Sequence, residues 1–503
     1  MIRKLIPLFI AFITIAYAIP EEIWIIHTND IHGGLAPTDA FWMNPDFPPP
    51  IGNAPAAINI INEIKEEAKQ KNIPVLLFDI GDWFTGTPLG DFTHGRAVIE
   101  FFNYINEDAL TIGNHEFAFG LDTLKSLIQA LKAPVLCANL VKTGTDSIPE
   151  YFKPWIILEQ DGLKIGVFGI TTHYLTGMVS PEQMPGLSVL KHYVGAANSI
   201  AGLRAQGADI IIGLSHAGYS HDQRLADSVP GIDLIVGGHS HTGIEHPGEM
   251  PRYHTIICQT YGRLTSIGLM KIKIDKTTKR LAGYNGELFN LFGEEVPLDQ
   301  QYLSRLQKWQ QTVEKGFDNV IGVSKRELTR GGFVESPVGD LITDAMREHA
   351  QADIAVTNSG GIRANLPQGD VTYRDLYKVD NFGNTAVTMT MTGKQVWEML
   401  EVSVIGYHAI FQVSGLKMVY DLRKPPKQRV LSVEIDGQPI DLNKEYKVVT
   451  NNFLAAGGGA YGIFKEGKDA EDSYTIIRDI MADYIKKHTP IDVKIEGRII
   501  RAK

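Results

Sequence analysis

The sequence predicts an α/β protein built as two domains joined by a helix. Three observations carry this expectation. The chain has 503 residues, too many for a single hydrophobic core. Short apolar runs alternate with amphipathic stretches through the first 290 residues, the pattern of an α/β domain. A polar helical stretch, "VPLDQQYLSRLQKWQQTVEKGF", then intervenes before strands and helices resume.

Taken in chain order, the first segment is a targeting signal. "MIRKLIPLFIAFITIAYA" places Arg3 and Lys4 before an apolar stretch from Leu5 to Ile15 and closes on Ala16-Tyr17-Ala18. A basic start, a short apolar run and an A-x-A ending describe a cleavable signal peptide. The alternative is a membrane anchor, for which the run is short. Residues 1–18 are therefore expected to be removed, leaving a periplasmic or secreted protein with no stable membrane association.

Residues 19–290 form the first domain. Its strand candidates are "IWIIHTND", "VLLFDIGD", "ALTIGNHE", "VLCANL", "KIGVFGITT", "DIIIGLSHAG" and "DLIVGGHSHT". Near-continuous Ile, Val and Leu suit strands buried on both faces. Between them lie the helix candidates "AAINIINEIKEEAKQ", "AVIEFFNYIN", "LDTLKSLIQAL" and "VGAANSIAGLRAQG". The Pro-rich "FPPPIGNAP", Phe47 to Pro55, is expected to be a loop. Residues 291–316 make the linker helix, with Tyr302, Leu303, Leu306 and Trp309 on one stripe. Residues 317–503 make a second α/β domain, with helices at "VGDLITDAMREHA" and "GKQVWEMLEVS", a strand at "DIAVTNS", and a hairpin in "LSVEIDGQPID" turned by Asp-Gly.

Composition narrows the partners. Hydrophobic content of 44% with 21% charged residues is ordinary for a soluble globular chain. Lys+Arg 48 against Asp+Glu 58 gives a net charge of −10, which excludes a nucleic-acid polymer as the main partner, since tracking phosphates needs a basic stripe. The two cysteines, Cys137 and Cys258, lie in apolar runs and are expected to be buried free thiols.

The chemistry gathers where strands end. Asp30 and His32 stand in "NDIHGG", Asp82 in "DIGDWF", Asn114 and His115 in "GNHEF", His216 in "LSHAG", and His239 and His241 in "GGHSHT". In open α/β sheets the carboxyl ends of strands open onto one crevice. Any one such side chain is more often a turn former or a satisfied hydrogen-bonding group. Five loops bearing them together are a different matter. With His115 set aside, two carboxylates, one amide oxygen and four imidazoles exceed the needs of one tetrahedral site and suit two divalent ions sharing a carboxylate. Asp82 is the natural bridge, because Asp79 falls inside its strand. Mixed N and O donors accept Zn²⁺, Mn²⁺ or iron alike. A water held between two such ions would ionise near neutral pH and become a nucleophile.

The series "NDIHG…GD…GNHE…SH…GHSH" resembles the calcineurin-like metallophosphoesterase signature. Further on, "TNSGGIRANLPQGDVTYRDLYKVDNFGN" and "NNFLAAGGGAYGIF" resemble the C-terminal domain of the secreted 5′-nucleotidase family. The resemblance covers nearly the whole chain after the signal. It implies a four-layer α/β/β/α sandwich followed by an α/β substrate-binding domain, and hydrolysis of nucleoside 5′-monophosphates or related nucleotide esters by a metal-activated water. It also implies one ion on Asp30, His32, Asp82 and His241, and a second on Asp82, Asn114, His216 and His239. His115, beside the ligand Asn114, would stabilise the transition state or protonate the leaving oxygen. In the second domain Arg363 would bind phosphate, Asn358 would reach the nucleoside, Phe382 and Phe453 would sandwich the base, and Asn384 would assist.

Three positions depart from the family pattern. Ala118 stands where an Asp usually orients the histidine, so that Glu116 or another acid must serve, or His115 works differently. Gly332 stands where an Arg is usual, with Arg330 two residues back as a substitute, and Gly459 replaces an Asp that reads ribose hydroxyls. These departures leave two other activities open: a thiosulfohydrolase of the same fold, and a nucleotide-binding protein with weakened catalysis.

Overall fold

A computed structural model describes residues 19–39, 50–179, 183–292, 296–380, 384–405, 410–457 and 461–502. The signal segment, Phe382 and Gly459 lie outside the described residues. Two six-stranded sheets dominate the first half. One runs in the order Arg280–Asn290, Ser266–Asp275, Glu22–Thr28, Val75–Asp79, Ala109–Thr111, Val135–Leu136. The other runs Gly248–Glu249, Ile256–Cys258, Leu234–Gly237, Ile210–His216, Leu163–Thr171, Trp155–Gln160. The four central strands of each are parallel or flank a parallel pair, so the strands that matter end on the same side.

Side-chain alternation explains the layering. Ile23 and Ile25 point from the first sheet toward Val167, Ile212 and Val236 of the second, while Trp24 and Ile26 point outward beneath the helices Ala54–Gln70 and Arg96–Ile105. On the second sheet Phe168, Ile170 and Ile211 face the helices His192–Ala205 and Tyr219–Ser228. The period of two thus buries both faces of both sheets, giving four layers, helix–sheet–sheet–helix, as expected.

The helix Gln300–Phe317 carries the predicted stripe, but the stripe is not free. Tyr302, Leu306, Val313 and Phe317 pack into the core beneath the first sheet, and Trp309 donates to Glu100 Oε2 at 2.7 Å. The Pro-rich segment also differs from expectation where it is described. Pro50–Ile51 pairs with Thr38–Asp39, and Asn53 caps the helix that starts at Ala54, its side chain accepting from Ala56 N at 3.3 Å, with Pro55 in the first turn. Proline there begins a helix rather than lengthening a loop. Both cysteines are free and buried, as expected.

The second half has a five-stranded sheet, Phe411–Ser414, Ile354–Asn358, Glu445–Asn451, Thr385–Thr392, Lys468–Ile476, and a four-stranded one containing Val430–Ile435 and Gln438–Pro439. Helices Pro337–Ala350 and Ile477–His488 cover one face of the larger sheet and Gly393–Ser403 the other. The predicted Asp-Gly hairpin forms, with Asp436 and Gly437 both left-handed at φ 51° and 73°. The halves touch at Asp91: Tyr377 Oη donates to its Oδ2 at 3.1 Å, and Arg478 lies 3.4 Å from the same oxygen.

One buried group in the first sheet makes stability pH-dependent. His27 sits across from Gly268, fully buried, and burial pushes its imidazole down to about 3 from the ordinary 6.5. The folded protein therefore holds this ring neutral while the unfolded chain protonates it below pH 6.5. The resulting stability is complete above that pH and drains as the pH falls. One unit below, at pH 5.5, the loss attributable to His27 is about 1.4 kcal/mol. Urea midpoints at pH 7.5 and 5.5 check this: the drop should be smaller by that amount in His27→Leu, and an equal drop in both proteins would refute it.

Candidate metal centre

The strand ends deliver their side chains through strained backbone. Asp30, His32, Asp82, His239 and His241 all take left-handed φ values, from 50° to 73°. Outside glycine that conformation costs on the order of 1–3 kcal/mol per residue and persists only where its surroundings enforce it. Here the enforcement is visible. Asp30 N donates to Gly81 O and His32 N to Asp82 O, each at 2.9 Å, so two ligand-bearing loops are stitched together. Close packing adds to it: a Cβ at Gly113 would fall 2.2 Å from Asp82 Oδ1 and 2.5 Å from His216 Nε2.

The side chains converge as two neighbouring groups, with Asp82 a member of one and close to the other. Asp30, His32 and His241 bring ligand atoms together on one side, with His241 Nε2 3.4 Å from Asp30 Oδ1 and 3.1 Å from His32 Nε2. Asp82, His216 and His239 do so on the other, with His216 Nε2 3.1 Å from Asp82 Oδ2. Asp82 also lies 3.8 Å from His32 Nε2, between the groups. Asp79, by contrast, is occupied in holding the loop: it accepts from Thr28 Oγ1, Gly81 N and Trp83 Nε1 at 2.6–2.9 Å.

Three observations test whether cations fit this cluster. Backbone carbonyls orient the rings: His32 Nδ1 donates to Thr85 O at 2.7 Å and His216 Nδ1 to Ile80 O at 2.6 Å, leaving both Nε2 atoms aimed inward, where a cation would displace any proton they carry. Asn114 Oδ1 is buried with no hydrogen-bond partner. The field also demands positive charge. Burial opposes protonation of His216, yet Asp82 and Asp30 pull it up to about 10, and despite their own burial both carboxyls sit below the usual carboxylate range because imidazoles surround them. Inward ring nitrogens, an unpartnered amide oxygen and two ionised carboxylates fit a pair of divalent ions.

His115 stands at the edge of this cluster, its ring 4.8 Å from that of His32. Its backbone N–H donates to Asp82 Oδ1 at 2.9 Å. Of the alternatives left open by Ala118, Glu116 is not the partner of the ring. Glu116 is fully buried and accepts from Asp82 N, Trp83 N and Gly113 N at 2.5–3.0 Å, so its carboxyl is turned to backbone amides. The ring's partner is instead Thr85, whose Oγ1 lies 2.5 Å from His115 Nδ1 while its carbonyl holds His32. A hydroxyl from the Thr85 loop thus orients the imidazole, and Ala118 offers it no side-chain partner. Thr85→Val should therefore lower kcat about tenfold with KM little changed, and Thr85→Ser should restore it. Equal kcat in the wild type and the valine variant would leave the hydroxyl without a role.

The candidate substrate residues gather at another set of carboxyl ends. Asn358 and Asn451 close two parallel strands, and Asn451 Nδ2 donates to Asn358 Oδ1 at 2.9 Å. Phe453 follows Asn451 and is 44% exposed, so its ring is not core. Arg363 N donates to Val379 O at 2.9 Å, and Arg330 reaches Ile362 O at 3.4 Å, which puts the two arginines on adjoining loops. Asn384 contributes a carbonyl to Ile477 N at 2.8 Å. Arg263 carried no sequence signal. Its N–H donates to Asp30 O at 2.7 Å and its charge bears on both His241 and Tyr377, one in each half.

Comparison with known proteins matches this geometry. A calcineurin-like phosphoesterase model fits residues 23–243 and a 5′-nucleotidase C-terminal domain model fits residues 319–466. Protein 5NUC of Lutzomyia longipalpis is 30% identical over 536 residues, covering 95% of this chain and 92% of that protein. The chain belongs to the 5′-nucleotidase family. A 5′-nucleotidase precursor from Thermus thermophilus shares the fold with a TM-score of 0.65 at 30% identity, over 95% of this chain and 99% of that one. The chain is 30% identical to the trifunctional nucleotide phosphoesterase YfkN of Bacillus subtilis along 95% of its own length but spans only 35% of that protein. Family membership makes this 5′-nucleotidase relative a metal-dependent phosphoric monoester hydrolase.

Proposed function

We propose that the protein acts outside the cytoplasm and removes phosphate from nucleoside 5′-monophosphates or related nucleotide esters. The observation that carries this is the pair of neighbouring donor groups, Asp30 with His32 and His241 and Asp82 with His216 and His239, in a chain whose second half offers Arg363, Asn358 and an exposed Phe453 at its own strand ends. In this proposal residues 19–290 hold the reaction centre and residues 317–503 select the substrate. The extracytoplasmic site of action rests on the segment Met1–Ala18, and among the described residues no helix is long and apolar enough to cross a membrane.

Two divalent ions of the Zn²⁺ or Mn²⁺ class, one on Asp30, His32, Asp82 and His241 and one on Asp82, Asn114, His216 and His239, would supply Lewis acidity and a water that ionises near neutral pH. The chain's own groups do the rest. Ile80 and Thr85 carbonyls keep the imidazole Nε2 atoms pointing inward. His115, oriented by Thr85, faces the centre to hold a proton near the departing ester oxygen. The Arg363 guanidinium forks onto phosphate oxygens, and the Phe453 ring, with Phe382, stacks the base.

The test is phosphate release by purified, Mn²⁺- or Zn²⁺-loaded protein from a panel of nucleoside monophosphates and simple phosphoesters. Turnover of the nucleotides, with adenosine competing, is expected. No release from any member would refute the proposal, and release from simple esters unaffected by adenosine would remove the nucleoside from it.

A further inference from the structure

Apart from the centre around Asp82, the first half contains a second set of converging metal-capable side chains. His173, His192 and His221 bring one ring nitrogen each within 4.8 Å of one another. His173 lies two residues past the strand Leu163–Thr171, His192 opens the helix His192–Ala205, and His221 sits in the first turn of Tyr219–Ser228. Three elements of the second sheet's helical layer thus meet at three imidazoles. Their ring contacts are with one another and with Tyr174 and Tyr193, not with the seven residues around Asp82.

The geometry points to a third metal site, a tetrahedral Zn²⁺-class ion held by His173, His192 and His221 with one position left open. Tetrahedral Zn–N bonds of about 2.0–2.1 Å place ligand nitrogens roughly 3.3–3.4 Å apart. The His173 and His192 Nδ1 atoms are 2.8 Å apart, slightly closer than that, and the full set spans up to 4.8 Å, slightly wider. Small rotations of three side chains, two of them only partly buried, reconcile both. A hydrogen bond between two neutral rings accounts for the His173–His192 pair and leaves the convergence of His221 unexplained. Burial keeps His173 and His221 below the ordinary imidazole range, reinforced at His173 by Lys191 and Arg224 and at His221 by Arg224 and His173, so these rings present lone pairs rather than charges.

The donor set also selects the ion. Among the described residues no carboxylate joins the cluster, and three imidazoles without oxygen ligands disfavour Mg²⁺ and Ca²⁺ while suiting zinc and its neighbours in the transition series. Lys191 and Arg224 would make the open position hospitable to an anion such as chloride or phosphate. An ion here would staple a strand exit to two helix starts, one of which follows the His216 loop.

Counting ions tests the site independently of turnover. Protein stripped with chelator and dialysed against Zn²⁺ at pH 7.5 should retain three ions per chain, and His173→Gln and His221→Gln two each. Both substitutions are at partly exposed positions, and unchanged circular dichroism would show that the fold is kept. Asp82→Asn should leave this ion in place while weakening the others. Equal stoichiometry in the wild type and both histidine variants would overturn the proposal. Should the pair around Asp82 fail to form, the wild type would hold one ion and the histidine variants none, which would uphold the third site and sink the pair. Co²⁺ reloading of Asp82→Asn should add tetrahedral d–d absorption that His221→Gln in the same background abolishes.

Discussion

In Asp82→Asn, phosphate release should fall by about a thousandfold or more, and the reconstituted protein should lose ions from the centre. A thousandfold is about 4 kcal/mol of transition-state stabilisation, within reach of one carboxylate that, as proposed, bridges both ions. The substitution preserves shape, so the loss isolates charge. Asp82 Oδ2 lies 3.1 Å from His216 Nε2, whose ring is oriented by the Ile80 carbonyl, and Oδ1 accepts the His115 N–H. An amide in that place can still accept one hydrogen bond, but its nitrogen cannot bind a cation. Stability of the metal-free protein should fall as well. Despite its burial, the surrounding imidazoles hold the Asp82 carboxyl below its usual range and Asp82 in turn raises His216, so the ionised carboxylate favours the fold, and its repulsion with Asp30 is the smaller effect. The metal-free melting temperature of the variant should therefore lie below that of the wild type. Undiminished turnover with full ion uptake would remove Asp82 from the centre. A metal-free melt equal to that of the wild type would show that the pairing of Asp82 with the imidazoles adds nothing to the fold.

The seven clustered residues are legible because each follows an apolar strand and most stand beside glycine, so that periodicity locates the strand end and the strand end locates the site. What periodicity does not supply is partnership. Thr85 is one hydroxyl in "DWFTGT", and nothing in its spacing from His115 marks it as the ring's partner. Glu116 misleads for a related reason: adjacency to His115 in sequence suggests a carboxylate beside the ring, but the 3-10 turn His115–Phe117 sends it inward to backbone amides. His173, His192 and His221 stand 19 and 29 residues apart on a strand exit and two helices, a spacing that matches no local metal motif. The long pair Ser266–Asp275 and Arg280–Asn290 escapes a sequence reading because lysines, glycines and a glutamate interrupt its apolar run, as an edge facing solvent requires. In the second half the helices and the Asp-Gly hairpin are plain, being local. The meeting of Asn358 with Asn451 depends on parallel pairing across roughly 90 residues of chain, which sequence pattern does not encode.

Glu116→Ala should destabilise the protein by roughly 3–5 kcal/mol, the largest stability effect expected of a single side chain near the centre. The carboxylate accepts three backbone N–H groups drawn from two different loops: Asp82 and Trp83 from one, Gly113 from the other. Those loops carry Asp82 and Asn114. Alanine leaves three buried donors unpaired, each costing about 1–3 kcal/mol, with partial relief from relaxation and entering water. Glutamine retains one acceptor oxygen and sets an amide against N–H groups, so an intermediate loss of roughly 1–3 kcal/mol is expected. Urea midpoints of the three proteins in the metal-free state measure the series, and separation of the loops should also weaken ion uptake in the same rank order. This order distinguishes a staple from a catalytic acid. If Glu116 acted on His115, glutamine would abolish turnover while leaving the midpoint near that of the wild type. If it holds the loops, stability and ion retention fall together and turnover follows them. An alanine variant within about 1 kcal/mol of the wild type would mean that the strained left-handed backbone at Asp82 is held by its other contacts alone, chiefly the bond from His32 N to Asp82 O.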